Sequence, residues 1–171
     1  MSRLLGTIPR AGFADGSVAH VELWSSPEPV AEDTVFAAMA VVTDVAGRYA
    51  VAWSPRRQEW GIPGGWREAG ESVVECVLRE VWEETGLVLE PADLTACGHE
   101  DLTPVSAHGV WPPDGGSMQL FRIQIPVVGP DLVAAEPDAV DPQWMSATEF
   151  EALSGGQFWW PLVAATMAED S

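Results

Sequence analysis

A run of glycines opening into an acid-rich segment, Gly65 to Leu87, constrains this chain more than any other stretch: Gly65-Trp-Arg-Glu-Ala-Gly-Glu71-Ser-Val-Val-Glu-Cys-Val-Leu-Arg79-Glu80-Val81-Trp-Glu83-Glu84-Thr-Gly86-Leu87. Gly64 and Gly65 permit backbone angles that other residues avoid and let a ligand come close to the main chain. Glu71-Ser72 offers a polar start to a helix and Gly86 a stop. Between them Val74, Val77, Leu78 and Val81 recur at helical spacing, which predicts one apolar stripe.

Glu80 and Glu84 are four residues apart and lie roughly 40° from each other around such a helix. Glu83 falls three residues after Glu80, on its other side. Three carboxylates therefore project beside the stripe, and each i,i+4 pair repels by about 0.3 kcal/mol. A hard divalent cation removes that repulsion, and Mg²⁺ prefers a few carboxylate oxygens together with water and substrate phosphates. Arg79, the lone cation of the helix, has Glu71 in the preceding loop as its natural partner. The competing interpretation is a solvated acidic helix face. The order of the glycines, the Arg directly before Glu80 and the flanking Trp60-Gly-Ile-Pro63-Gly64-Gly65 weigh against it.

The stretch resembles the Nudix box, Gly-x5-Glu-x7-Arg-Glu-U-x-Glu-Glu-x-Gly-U with U aliphatic, and matches it at every defined position. The resemblance implies an α/β (α+β) fold: a mixed sheet sandwiched between helices, with the box as a loop–helix–loop. It also implies Mg²⁺- or Mn²⁺-dependent hydrolysis of a diphosphate linkage in a nucleotide or nucleoside diphosphate derivative. On that basis Glu80, Glu83 and Glu84 are metal ligands, the Gly65 carbonyl is a further one, and Glu80 or Glu83 doubles as the base. Glu71 and Arg79 orient the helix. Glu68 and Glu75 fall at variable positions of the box and are expected to be solvated. The stretch Asp138-Ala-Val-Asp-Pro-Gln-Trp144 is similar to the MutT-type subgroup, in which an acid six residues before the Trp joins the metal site. Asp138 is the candidate, with Glu136 and Asp141 as close rivals.

A chain of 171 residues suits one domain, 1–171, in which 1–33 is an N-terminal extension carrying an extra strand. The formal charge of −18 argues against nucleic-acid polymers and anionic membranes, which are bound through Lys and Arg. It leaves room for a small phosphorylated nucleotide whose charge a metal neutralises. Cys76 and Cys97 have no metal-site spacing and read as reduced, partly buried thiols of a cytoplasmic protein. The longest apolar run, Val35 to Val42, is too short to span a membrane.

Along the chain, residues 1–16 read as irregular and Ser17 to Trp24 as a strand, which is taken as an edge strand or as a contact between two copies in a homodimer. Ser25 to Asp33 reads as a connector. Thr34 to Thr43 reads as a strand buried on both faces, joined through the turn Asp44–Gly47 to a strand at Tyr49–Ser54. Leu94–Cys97 and Ser117–Val128 read as further strands, and Thr103–Gly116 as a loop over the site or a surface insertion. His108 in that loop has no zinc-like partner spacing. Ser146 with Glu149 predicts a capped helix, and Gln157–Met167 a last helix or turn.

For the substrate, Arg56 and Arg57 form a basic island suited to phosphate, and Trp66, Trp111, Trp159 and Trp160 are candidates to stack on a base. Trp53 and Trp144 read as core. In MutT-type enzymes that read a damaged guanine, an Asn stands two residues before a Pro of the last helix. Here Trp159 occupies that place, so a preference for oxidised dGTP is not implied. Alternatives on the same fold are hydrolysis of a nucleotide sugar, ADP-ribose or a dinucleotide, non-catalytic nucleotide binding, and isomerisation of a prenyl diphosphate.

Overall fold

The long apolar run before the box forms the centre of the sheet. In the computed structural model, which describes residues 1–106 and 111–169, this run is β3 (Val35–Thr43). It pairs in parallel with β8 (Gly116–Gln124) and antiparallel with β4 (Tyr49–Ser54) and β6 (Gly64–Trp66). The other strands are β1 (Arg3–Gly12), β2 (Val18–Ser25), β5 (Glu59–Gly61), β7 (Thr95–Ser106) and β9 (Val140–Met145). The nine-stranded sheet runs β1-β2-β7-β8-β3-β4-β5, with β6 on β3 and β9 on β4.

Alternation along β3 feeds two cores. Val41 joins Val21, Leu23, Leu120, Phe150, Trp160, Leu162 and Val163 on one face. Ala38, Ala40 and Val42 join Val73, Cys76, Val77, Val81, Phe121 and Ile123 on the other. The helices α2 (Ala147–Ser154) and α3 (Trp160–Glu169) cover the first face and α1 (Val73–Thr85) the second. Each fully buried Val, Leu or Phe contributes about 2 kcal/mol of apolar transfer, so burial on both faces ties the sheet to both helix layers. This is the expected mixed sheet between helices.

Helix α1 starts and stops as its sequence dictates. Ser72 Oγ accepts the Glu75 N–H at 3.1 Å, and the Glu75 carboxylate accepts the Ser72 N–H at 2.8 Å. Gly86 ends the helix at φ 76°, a left-handed conformation natural to glycine. The stripe is rotated from the expected one: Val73, Cys76, Val77 and Val81 are buried, whereas Val74 and Leu78 are half-buried. That rotation brings Glu80 and Glu84 onto the flank of the packed face. Helix α2 carries the predicted capping box between Ser146 and Glu149.

Four expectations need correction. Residues 1–16 are not irregular: Arg3–Gly12 pairs with β2, and register shifts between Leu4 and Gly6 and between Ile8 and Ala11 absorb Leu5, Pro9 and Arg10. Proline is tolerated in such an edge strand because one side of it needs no donor. β2 is therefore internal, lying between β1 and β7. β7 extends far beyond Cys97, through the polar run His99-Glu100-Asp101, and so takes in the first part of the expected loop 103–116. β8 stops at Gln124, short of the exposed Val127 and Val128. His108 lies outside the described residues. Both cysteines are free and buried, and burial pushes each thiol up to about 12.

Candidate active site

Each wall of the site follows from a local feature of the chain. β6 lays Gly64 and Gly65 against Met39 and Ala38 of β3, directly beside α1. A Cβ at Gly65 would overlap the Glu80 carboxylate, so the side chain approaches the backbone only because residue 65 is glycine. Glu84 accepts the Gly64 N–H at 3.3 Å, and the Cys76 thiol donates to the Gly65 carbonyl at 3.5 Å. The loop and the helix are thus joined where the acids cluster.

Arg79 is the hub of this region. Its guanidinium donates to Glu71 at 2.9 Å, Glu80 at 2.8 Å, Glu83 at 3.1 Å and the Trp66 carbonyl at 2.9 Å. Burial works against its charge, but the hydrogen bonds with Glu71 and the charge of Glu80 outweigh burial and raise its pKa. Glu71, only 10% exposed, locks the loop to the helix through this contact. The predicted Glu71–Arg79 pair is therefore present, and Arg79 also holds two of the candidate metal ligands. Glu75 serves the helix cap, and Glu68, 68% exposed, reaches Arg79 only at 3.9 Å.

The acids themselves are short of counter-charge. Burial raises the Glu80 carboxyl, against the opposing effect of Arg79. Burial and the charge of Glu80 push Glu84 up to about 8, with Arg57 and the Gly64 N–H offsetting only part of this. Among the described residues, no three His, Cys, Asp or Glu side chains close into a ligand cage. What exists is an open group of three carboxylates facing a cleft, two of them, Glu80 and Glu84, destabilised as anions. That donor set fits a hard cation that keeps waters and substrate phosphates in its shell, and does not fit a closed structural site.

The cleft has a volume of about 1260 Å³. Glu80, Glu83, Glu84, Arg79 and Gly65 line it, and so do Trp66, Arg56, Arg57, Trp111, Trp159 and Asp138. Glu71 does not line it; its carboxylate reaches it through Arg79. Glu136 shares the wall with Asp138, whereas Asp141, at φ 49°, does not. The segment carrying these acids is held to the end of α1 by the N–H groups of Ala135 and Glu136, which donate to the Glu83 carbonyl at 2.7 and 3.1 Å.

The aromatic residues divide. The Trp111 indole is buried, donates to Asp15 at 2.8 Å and packs edge-on against Phe13 and Trp66. Trp159 donates to Glu59 at 3.3 Å, and Arg57 pairs with Glu59 at 3.5 Å. Trp53, read from the sequence as core, also lines the cleft, while Trp144 packs beside the α1 core. Phe13 and Asp15 from the β1–β2 turn, Phe158 before α3, and Glu59 and Glu100 from the sheet are wall residues that no local pattern marks. They come together only through strand pairing.

Comparison with known proteins agrees with this geometry. A family model described as NUDIX domain matches residues 33–165. The chain is 28% identical over 131 residues to a nucleoside triphosphate pyrophosphatase/Nudix hydrolase fusion protein of Bifidobacterium longum, a match covering 75% of this chain and 25% of the fusion protein. The chain thus spans about a quarter of that relative's length. Over 66 residues it is 33% identical to an 8-oxo-dGDP phosphatase of Mus musculus, covering 39% of this chain and 20% of that protein. Among solved structures, the NUDIX domain of Shewanella oneidensis NrtR, complexed with ADP ribose, superposes with a TM-score of 0.62 at 14% identity. That match covers 81% of this chain and 89% of the other. The MutT protein of Methanosarcina mazei superposes at 0.55 with 17% identity, over 80% of this chain and 95% of that one. At these identities the structural likeness is one of fold.

Proposed function

The chain belongs to the Nudix family, and from that premise we propose that it hydrolyses a diphosphate linkage in a nucleoside di- or triphosphate or a related nucleotide, with Mg²⁺ or Mn²⁺. The observation that carries this reading is the gathering of Glu80, Glu83 and Glu84 on one wall of a cleft whose other walls supply Arg56, Arg57 and tryptophans. The residues that would hold the cation are these three glutamates, the Gly65 carbonyl and Asp138. When bound, the cation supplies positive charge against the diphosphate and activates water for attack on phosphorus.

The chain's own groups account for the rest of the chemistry. Glu80 or Glu83 accepts the proton of the attacking water, since both stand at the cleft wall. Arg79 and Glu71 keep α1 and its loop in fixed relation, so that the carboxylates keep their spacing. Arg56 faces the phosphate, while Arg57 stays paired with Glu59. Trp66 and Trp159 flank the base, and the buried Trp111 braces Trp66.

The cleft has more room than a mononucleotide requires, which keeps ADP-ribose, nucleotide sugars and dinucleotides in the substrate panel. The test is a Mg²⁺ assay of the pure protein against NTPs, dNTPs, oxidised dGTP, ADP-ribose, NADH, diadenosine polyphosphates and nucleotide sugars, reading phosphate and pyrophosphate release. The expected outcome is one preferred substrate. No turnover, with a nucleotide still raising the melting temperature, would replace hydrolysis by non-catalytic binding.

A further inference from the structure

Glu100 stands in the middle of the sheet and the mechanism above does not use it. It lies on β7, paired across to Leu23 of β2 and Met118 of β8, and is 2% exposed. It lines the same cleft as the box glutamates, in a floor that is otherwise apolar at Met39, Met118 and Leu120. Among the described residues no hydrogen bond reaches its carboxylate. The charges that act on it, Arg57 and Glu59, are paired with each other at 3.5 Å. Its neighbour Asp101 shows the alternative: on the opposite face of the same strand, 44% exposed, it accepts the Ser117 hydroxyl at 2.7 Å. A buried carboxyl without a donor is costly, and native proteins seldom leave one unless a ligand completes it.

We propose that Glu100 is a specificity-determining residue that reads the nucleobase, accepting hydrogen bonds from two adjacent N–H donors of a guanine-type edge. The inference rests on the nucleotide-binding reading of the cleft and deepens it. Phosphate is disfavoured beside Glu100, where Arg57 is already paired with Glu59 and the two carboxylates would repel it, and is better placed against the box glutamates, where a cation and Arg56 are available. What meets Glu100 is therefore the uncharged end of the substrate, with Trp53, Trp66 and Trp159 on the walls of the same cleft for stacking. An ionised carboxylate only accepts, through two oxygens side by side. Among the common bases, guanine alone sets two donors next to each other, N1–H and the N2 amino group; adenine and cytosine set a donor beside an acceptor. Burial pushes the Glu100 carboxyl up to about 7 against the influence of Arg57, so paired donors would also stabilise its charge.

The test is a tryptophan-fluorescence titration of the whole chain with guanosine, inosine and adenosine, without metal; inosine lacks only the N2 amino group. The expected result is binding of guanosine at least about tenfold tighter than inosine and adenosine. Glu100→Gln should bring that ratio below about threefold while its melting temperature holds or rises, because an uncompensated buried charge is removed. Glu100→Asp, which keeps the charge but withdraws the oxygens, should also reduce the ratio and serves if the Gln variant does not fold. A wild-type protein without guanosine preference, or variants that retain it, would overturn the proposal. Hydrolysis without base preference removes Glu100 as reader and leaves the hydrolase; guanosine preference without hydrolysis does the reverse.

Discussion

Two buried carboxylates in this molecule, Asp44 and Glu84, show how the same chemistry serves stability or a ligand. Asp44 follows β3, fully buried, and accepts the N–H groups of Ala46, Arg48 and Gly129 at 2.9 to 3.0 Å. The Arg48 side chain adds two more donors, at 2.9 and 2.7 Å. Burial opposes its charge, but the Gly129 and Arg48 N–H groups and the Arg48 guanidinium outweigh this and hold the carboxyl at about 2. Glu84 accepts one long hydrogen bond and is pushed to about 8. A carboxylate whose oxygens the chain itself satisfies is complete. One that the chain buries and leaves short of donors gains from a cation.

The comparison is broken most forcefully at Asp44. Asp44→Ala should cost about 3 kcal/mol of unfolding free energy in urea, because Arg48 and three N–H groups lose their acceptor, while kcat/KM changes by less than about twofold. A large loss of turnover in a stable variant would show that Asp44 reaches the site. Next in size, Glu84→Gln should lower kcat by at least about a hundredfold, or about 2.7 kcal/mol, without lowering the melting temperature. It should also abolish any rise of melting temperature on adding Mg²⁺. Near wild-type turnover would remove Glu84 from the metal site.

Asp138→Asn should reduce turnover about tenfold and Asp141→Asn less than about twofold, since only Asp138 lines the cleft. The reverse order would place the outer acid at the wrong position. The smallest effect sharpens the contrast through pH. The Asp44 carboxyl lies below its ordinary value in the folded chain, so its contribution is fully present above about pH 4. It is lost as the pH falls through about 2. In an acid titration of unfolding stability, Asp44→Asn should therefore flatten the slope in that window; an unchanged slope would mean other carboxylates carry it.

The box was legible because its constraints are local. Ser72, Glu75 and Gly86 set the ends of α1, Arg79 lies within reach of Glu71, and helical spacing brings Glu80, Glu83 and Glu84 together whatever the rest of the chain does. β3 was legible too, since a strand buried on both faces is apolar throughout. β1 and the second half of β7 were not. Gly6, Pro9 and the run His99-Glu100-Asp101 carry no strand pattern by themselves, and bulges, edge position and partner strands make them strands. The helix stripe was misplaced by one position because Cys76 packs as a small apolar residue between Val73 and Val77.

The sequence alone was enough for the acidic wall and the hydrolase family, since a helix of known pitch and a glycine loop fix the relative positions of residues a few places apart. The opposite wall was decided only by tertiary structure. Glu100 comes from β7, and Phe13, Arg57, Asp138 and Trp159 from four separate connections between elements. Their convergence depends on the order and register of the strands, which long-range pairing and the burial of two cores determine and which no short stretch of the chain encodes.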